Sequence, residues 1–227
     1  FGLRNRVLQA KWYRNQIHQP QPANDHWNHR KDQVLLLTGN AGYVGSVLGP
    51  KLKDVKTVDL CWFGGKADYQ MNFWDVPLDG IDTIIHLAGI ANDPTGELNP
   101  QLTWETNVLG TTLLAQRAVK AGVKRFIYAS SGSVYGVSQA EEVMEDEPLI
   151  PLSEYNKSKM VAERVLLSYS KDMLIQIVRP ATVCGWSPRM RLDVMVNSFV
   201  MQALDKGEIR FNGGEQFRPN IHIQDMT

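Results

Sequence analysis

The stretch Val34–Leu48, VLLLTGNAGYVGSVL, decides how the chain is read. A short apolar run passes directly into a turn carrying Gly39, Gly42 and Gly45, and a short helical segment over 43–53 follows. A strand, a glycine turn and a helix in that order make a cradle for phosphate. Gly39 permits the tight turn, Gly42 lets a pyrophosphate approach the backbone, and Gly45 lets the helix sit against the sheet. Unpaired N–H groups at the helix start then face the phosphates. Asn40, Tyr43 and Val44 are read with the three glycines as cofactor-binding. Gly49 and Pro50 shorten or kink this helix, since proline is tolerated only in a first turn.

The competing reading is a glycine corner that binds nothing, and Asp59 weighs against it. It closes the next apolar run, KTVDL, about twenty positions after Gly39, where a carboxylate accepts hydrogen bonds from an adenosine ribose. The same carboxylate repels a 2′-phosphate, and Cys61, Trp62 and Phe63 bring no arginine to neutralise one. NAD is therefore expected rather than NADP.

Outward from this stretch, short apolar runs alternate with amphipathic segments: DTIIHLAG, a helical pattern over 100–121, KRFIYASS, another over 153–171, and LIQIVRPATV. Strands alternating with helices predict an α/β fold, a Rossmann-like doubly wound parallel sheet whose strands are covered on both faces. Three regions are expected: an irregular extension over 1–33, an NAD-binding domain over 34–185, and a partial substrate-binding region over 186–227 with a helix at 192–206. The last reads as an incomplete C-terminal substrate lobe, cut short at Thr227.

Composition narrows the function classes. Lysine plus arginine and aspartate plus glutamate both number 24. That balance gives no support to a nucleic-acid surface. The two cysteines, Cys61 and Cys184, make no disulfide scaffold, and no apolar run has the length of a membrane span. The first residues, FGLRNRVLQAKWYRNQ, are a poor secretory signal, so a cytoplasmic address is expected. Asp25, His26 and His29 lie in polar, proline-containing chain and read as solvated side chains; no metal site is expected.

Tyr155 and Lys159 in EYNKSKMVAE are four apart and share a helix face. A neighbouring ammonium favours phenolate over phenol, which would lower the tyrosine's pKa and make it a usable base. Lys157 points elsewhere and reads as solvent-facing. Upstream, FIYASSGSVYG is a strand entering a small-residue turn, and Ser131 there could hold a substrate hydroxyl while Tyr155 takes its proton.

Taken together, TGNAGYVG, Asp59, IIHLAG, NVLGT, YASSGSVYG, YNKSK, IVRPATVCG and RPNIHIQDM resemble the extended short-chain dehydrogenase/reductase family, in its NAD-dependent nucleotide-sugar epimerase/dehydratase branch. The resemblance implies a catalytic triad of Ser131, Tyr155 and Lys159. It implies that Leu87, Ala88 and Gly89 pass beside the cofactor with Asn107 in the following helix. Asn72 is implied near the adenine, and Pro180 and Val183 near the nicotinamide. Ser133, Thr182 and Arg218 are implied to meet a nucleotide-sugar substrate. A homodimer built on two helices per subunit is also inherited from the family.

The turn after Ser131 carries Gly132-Ser133, where 4,6-dehydratases of the family have Asp-Glu and 3,5-epimerases a cysteine. A glutamate characteristic of the decarboxylating relatives is also missing from it, and Cys184 reads as packing. The resemblance therefore implies epimerisation at C4 through a transient 4-keto sugar. A nucleotide-sugar dehydrogenase or ketoreductase and a non-catalytic NAD-binding interaction protein stand as alternatives.

Overall fold

A computed structural model describes residues 34–138, 142–214 and 217–227. The extension over 1–33, with Asp25, His26 and His29, lies outside them. The chain order of elements begins β1 (Val34–Thr38), α1 (Gly45–Leu48), β2 (Val55–Val58) and β3 (Ile81–His86). Next come α2 (Asp93–Leu98), α3 (Pro100–Trp104), α4 (Thr111–Ala121) and β4 (Arg125–Ala129). The rest is α5 (Glu154–Leu167), β5 (Leu174–Val178), β6 (Thr182–Cys184), α6 (Met195–Lys206), β7 (Asn220–His222) and α7 (Ile223–Met226).

Five strands form one parallel sheet in the order β2-β1-β3-β4-β5. Beyond β2, Tyr69 makes a single parallel bridge to Val58, with its amide on the Thr57 carbonyl and its carbonyl on the Asp59 amide. Counting that bridge as a vestigial third strand, the spatial order becomes 3-2-1-4-5-6, that of a doubly wound dinucleotide-binding sheet. The order reverses between β1 and β3, and a ligand crevice is expected at that switch point, beyond the strand carboxyl ends.

The core lies where the strands carry apolar residues toward packed helices. Leu36, Ile84, Phe126 and Tyr128 are fully buried against Leu114, Ala115 and Ala118 of α4 and Ala162 and Leu166 of α5. The edge strand β5 departs from the expected two-sided cover. It alternates, with Leu174 and Val178 exposed, because only one face of an edge strand meets the helices here.

Helix ends follow their sequence signals. Asn92, Asn99 and Ser153 cap α2, α3 and α5 through side-chain oxygens accepting Thr95, Leu102 and Asn156 amides. Gly122, at φ 77°, stops α4 in the left-handed conformation that glycine adopts without a Cβ penalty. The pattern over 100–121 is one helix interrupted by a π turn at Glu105–Gly110. Gly110 is needed there, since a Cβ would come within 2.5 Å of the Trp74 ring. Pro50 converts the rest of α1 into a 3-10 turn, Gly49–Lys51, so the helix predicted over 43–53 has only four α residues.

LIQIVRPATV is two strands rather than one. Arg179-Pro180-Ala181 breaks it, and β6 pairs with β7 in a separate two-stranded parallel sheet. The polypeptide thus leaves the main sheet at Arg179, ahead of the expected boundary at 185. α6 starts at Met195, three residues later than the pattern indicated.

Candidate active site

The glycine turn sits at the carboxyl end of β1, at the switch point. Gly39 has φ 78°, and a Cβ on it would reach within 2.7 Å of the Ala88 amide nitrogen. A Cβ on Gly45 would lie 2.1 Å from the Gly39 carbonyl oxygen, so the start of α1 rests directly on the turn. Gly42 meets only that same carbonyl, at 3.2 Å, and leaves the rest of its surroundings open. The amides of Tyr43 and Val44 take no backbone partner among the described residues. Glycines where side chains cannot fit, open space at Gly42 and two unspent amides suit a pyrophosphate.

Asp59 reaches the same turn. One carboxylate oxygen accepts the Ala41 amide at 3.0 Å and the other the Cys61 amide at 2.7 Å. Each retains further lone-pair capacity for a ribose hydroxyl. Asn40 donates to the Lys66 carbonyl at 2.8 Å, bracing the turn against the loop after β2. Tyr43 is spent differently from expectation: its hydroxyl donates to the Gly185 carbonyl at 2.7 Å and accepts from Asn197 at 3.1 Å. Only its backbone is left for a cofactor.

On the other side of the crevice, Leu87 and Ala88 are fixed by Thr38, whose carbonyl and hydroxyl accept their two amides at 3.2 Å. Beneath them His86 is fully buried between Thr38 (2.6 Å) and Thr111 (3.0 Å), its ring stacked on Tyr128. Burial first, and the Lys159 charge second, push its pKa down to about 3, so His86 is a neutral support. Asn107 is spent within the protein: its Oδ1 accepts the Ile90 amide and its Nδ2 donates to the Ile90 carbonyl and Ser158. It positions Gly89, whose added Cβ would strike that Oδ1 at 2.7 Å. The π turn holding Asn107 is a feature frequent at functional sites. Asn72 opens the turn leading to Phe73, which packs on His86.

Ser131, Tyr155 and Lys159 come together at the ends of β4 and α5. The Lys159 Nζ donates to the Ala129 carbonyl at 3.0 Å and lies 5.9 Å from the centre of the Tyr155 ring. Ser131 lowers the Tyr155 phenol's pKa against burial, and its hydroxyl lies 2.6 Å from the Ser133 hydroxyl. Ser133 in turn donates to Asn156 at 2.5 Å. Gly96 of α2 sits against Tyr155, with room for no side chain: a Cβ would be 2.9 Å from the tyrosine Cβ. Lys157 is half-exposed and pairs with Glu154 at 2.8 Å, off the site as expected.

The electrostatics correct one expectation. Tyr155 is pushed up to about 12, not down: burial is the largest effect, Arg191 and the Ser131 hydrogen bond oppose it, and Asp93 adds to it. Lys159 is itself desolvated to about 8, with Glu163 resisting the fall.

Pro180 caps the site's floor, its carbonyl accepting the Gly132 amide at 2.9 Å. Val183 packs with Tyr43, Val47 and Ile223. Thr182 and Arg218 lie at the neighbouring starts of β6 and β7: the Thr182 amide donates to Pro219, and Asn220 to the Arg218 carbonyl. Both side chains are exposed, outside the Ser131–Tyr155–Lys159 cluster. Sequence reading missed Asn156, Glu163, Arg191 and Asn197. Glu163 was the most findable, standing four residues after Lys159 and eight after Tyr155 on one helix face. Among the described residues no cluster could hold a metal and no helix is long and apolar enough to cross a membrane.

Known proteins share this arrangement. The UDP-glucuronic acid decarboxylase 1 of Xenopus tropicalis is 31% identical over 217 residues, covering 85% of this chain and 51% of that protein. The solved structure of MoeE5 in complex with UDP-glucose and NAD is 31% identical with a TM-score of 0.72, covering 85% of this chain and 69% of that one. The UDP-glucuronic acid 4-epimerase from Bacillus cereus, in complex with UDP-glucuronic acid and NAD, is 27% identical with a TM-score of 0.74, over 86% and 70%. This chain spans about half the length of the first curated relatives it matches. With a glycine turn, Asp59 and a Ser-Tyr-Lys cluster on one doubly wound sheet, and a family model matching residues 35–227, the chain belongs to the NAD dependent epimerase/dehydratase family.

Proposed function

We propose that this chain is the NAD-binding and catalytic part of a nucleotide-sugar 4-epimerase. NAD, when bound, supplies the hydride acceptor. The Tyr43 and Val44 amides receive its pyrophosphate and Asp59 its ribose, which favours NAD over NADP. Tyr155 takes the proton of the sugar C4 hydroxyl, Ser131 holds that hydroxyl, and the Lys159 ammonium stabilises the phenolate. Ser133, Thr182 and Arg218 are assigned to the nucleotide sugar. Exposed Leu102, Leu109 and Leu113 along the helices over 100–121, with Leu167 at the end of α5, support a homodimer through these helices.

The observation that carries the choice of reaction is the turn after Ser131. A Cβ on Gly132 would press on the Pro180 carbonyl at 3.1 Å, and Ser133 is committed to Ser131 and Asn156. That turn has no place for the extra acid and base that loss of water from C5–C6 requires. A second reading, oxidative decarboxylation of a nucleotide hexuronic acid, is favoured by the 31% identity to the Xenopus decarboxylase. Incubation with UDP-glucose and UDP-glucuronic acid, with and without added NAD, separates them. A 4-epimer without net NADH supports the first reading. Release of CO₂ with a nucleotide pentose establishes the second, and stoichiometric NADH would establish a dehydrogenase.

A further inference from the structure

Behind the Ser131–Tyr155–Lys159 cluster lies a buried ion pair that the chemistry above does not use. Glu163 is fully buried on α5, one helical turn beyond Lys159. Arg179, at the break between β5 and β6, grips it with two nitrogens: Nε at 3.0 Å from one carboxylate oxygen, and a terminal nitrogen at 2.7 Å from the other. The guanidinium also donates to the Tyr135 hydroxyl at 2.7 Å and the Glu145 carbonyl at 3.0 Å. Its neighbour Pro180 takes the Gly132 amide. Arg179 thus joins α5 to the Tyr135 end of the turn that carries Ser133, and its neighbour Pro180 holds the Gly132 end.

A buried ion pair is weak evidence of stabilisation, because desolvation consumes most of the attraction. Something else has to justify a fully buried carboxylate here, and its surroundings supply a reason. Lys159 is 5% exposed, donates to the Ala129 carbonyl, and faces the rings of Tyr128 at 4.8 Å and Tyr155 at 5.9 Å. The other titratable groups around it, His86 on β3 and Tyr128 on β4, are neutral. Residues four apart on a helix are neighbours, so Glu163 is the anion one turn from Lys159 on the same face of α5, its carboxylate paired with Arg179. Arg179 is partly exposed, where solvent screens it.

We propose that Glu163 is a positioning residue of the active site: its carboxylate, oriented by Arg179, keeps the Lys159 ammonium charged beside Tyr155, while Arg179 ties the Ser131 turn to the same helix. This rests on the assignment of Tyr155 and Lys159 as catalytic. Glu163 is the one charge that raises Lys159 against desolvation.

The test separates charge from scaffolding. Lys159 ionisation is read directly by ¹³C NMR of its ε-carbon, assigned with Lys159→Met, in the wild type, Glu163→Gln and the neutral double variant Glu163→Gln/Arg179→Met. Epimerisation is followed against pH in parallel, with circular dichroism and NAD binding reporting the fold. Expected is a Lys159 titration near pH 8 in the wild type, moving down by about one pH unit in both variants, with the alkaline limb of kcat following it. The double variant keeps the charge effect while removing the unpaired arginine, so it answers the question even if Glu163→Gln misfolds. A Lys159 titration unchanged in the folded double variant overturns the proposal, as does restoration of wild-type activity and pH profile by that variant. Full turnover in Lys159→Met overturns the catalytic assignment instead, and leaves the NMR result to be judged by itself.

Discussion

The main sheet and the segment after Arg179 are built on different terms. In the sheet, Leu36, Leu37, Ile84, Phe126 and Tyr128 are fully buried, and the two helices above them are held by apolar contact. After Arg179 the described core is Ile223 with Tyr43 and Val47 of the glycine turn, while α6 leaves Val200, Met201 and Leu204 exposed. What fixes this second region is polar: Asn197 holds Gly185, Arg191 and Tyr43, and Ser187 holds Tyr43 and Ser46. Apolar burial sets the half that holds a cofactor. Hydrogen bonds position the segment after Arg179.

The largest expected effect falls on chemistry and spares binding. Tyr155→Phe removes the proton acceptor and leaves the glycine turn untouched. Turnover should fall by about 10³-fold or more, with NAD affinity within about threefold of wild type. Turnover kept at wild-type level would remove Tyr155 from the reaction. Next in size is a matched pair of truncations. Phe126→Ala opens a cavity in the sheet core and should cost about 3–5 kcal/mol, whereas Leu204→Ala on exposed α6 should cost less than about 0.5. Equal losses in denaturant unfolding would break the contrast between the two regions.

A pH effect tests the interior beneath the cofactor crevice. His86 titrates near 3 when folded, against an ordinary 6.5. Between those values the unfolded chain binds a proton that the folded one refuses, so stability rises with pH. His86's contribution is whole above about pH 6.5 and is lost progressively down to about pH 3. From pH 7 to 4.5 this group alone should remove about 2–3 kcal/mol, and His86→Gln should flatten that part of the profile. An unchanged slope in the variant would mean that other groups govern acid unfolding.

How much of this was legible in the sequence follows the same division. Periodicity and glycine spacing identify the sheet, the turn, Asp59 and the Ser-Tyr-Lys cluster, because each depends on local geometry that a short stretch encodes. What was not legible shares a cause. Sequence position does not show that the Tyr43 hydroxyl is taken by Gly185 and Asn197, more than 140 residues away. The direction of the Tyr155 shift was misjudged because burial, which a helix-face argument does not see, outweighs the lowering by Arg191 and Ser131. LIQIVRPATV reads as one strand, and only the pairing of Thr182–Cys184 with Asn220–His222 shows two.

The smallest expected effect bears on the seam between the regions. Tyr43→Phe deletes a hydroxyl that donates to the Gly185 carbonyl and accepts from Asn197. Neither partner is stranded: Asn197 Nδ2 keeps the Arg191 carbonyl at 2.8 Å, and the Gly185 carbonyl keeps Asn197 at 3.5 Å. The cost should therefore be that of an ordinary hydrogen bond, about 1 kcal/mol, seen as a melting temperature lower by about 2–4 °C. NAD affinity should stay within about threefold, because the turn's amides and glycines are unchanged. If affinity instead drops by more than tenfold, the segment after Arg179 is holding the glycine turn in its binding shape. The two regions would then be one device, in which the polar half organises the cofactor cradle.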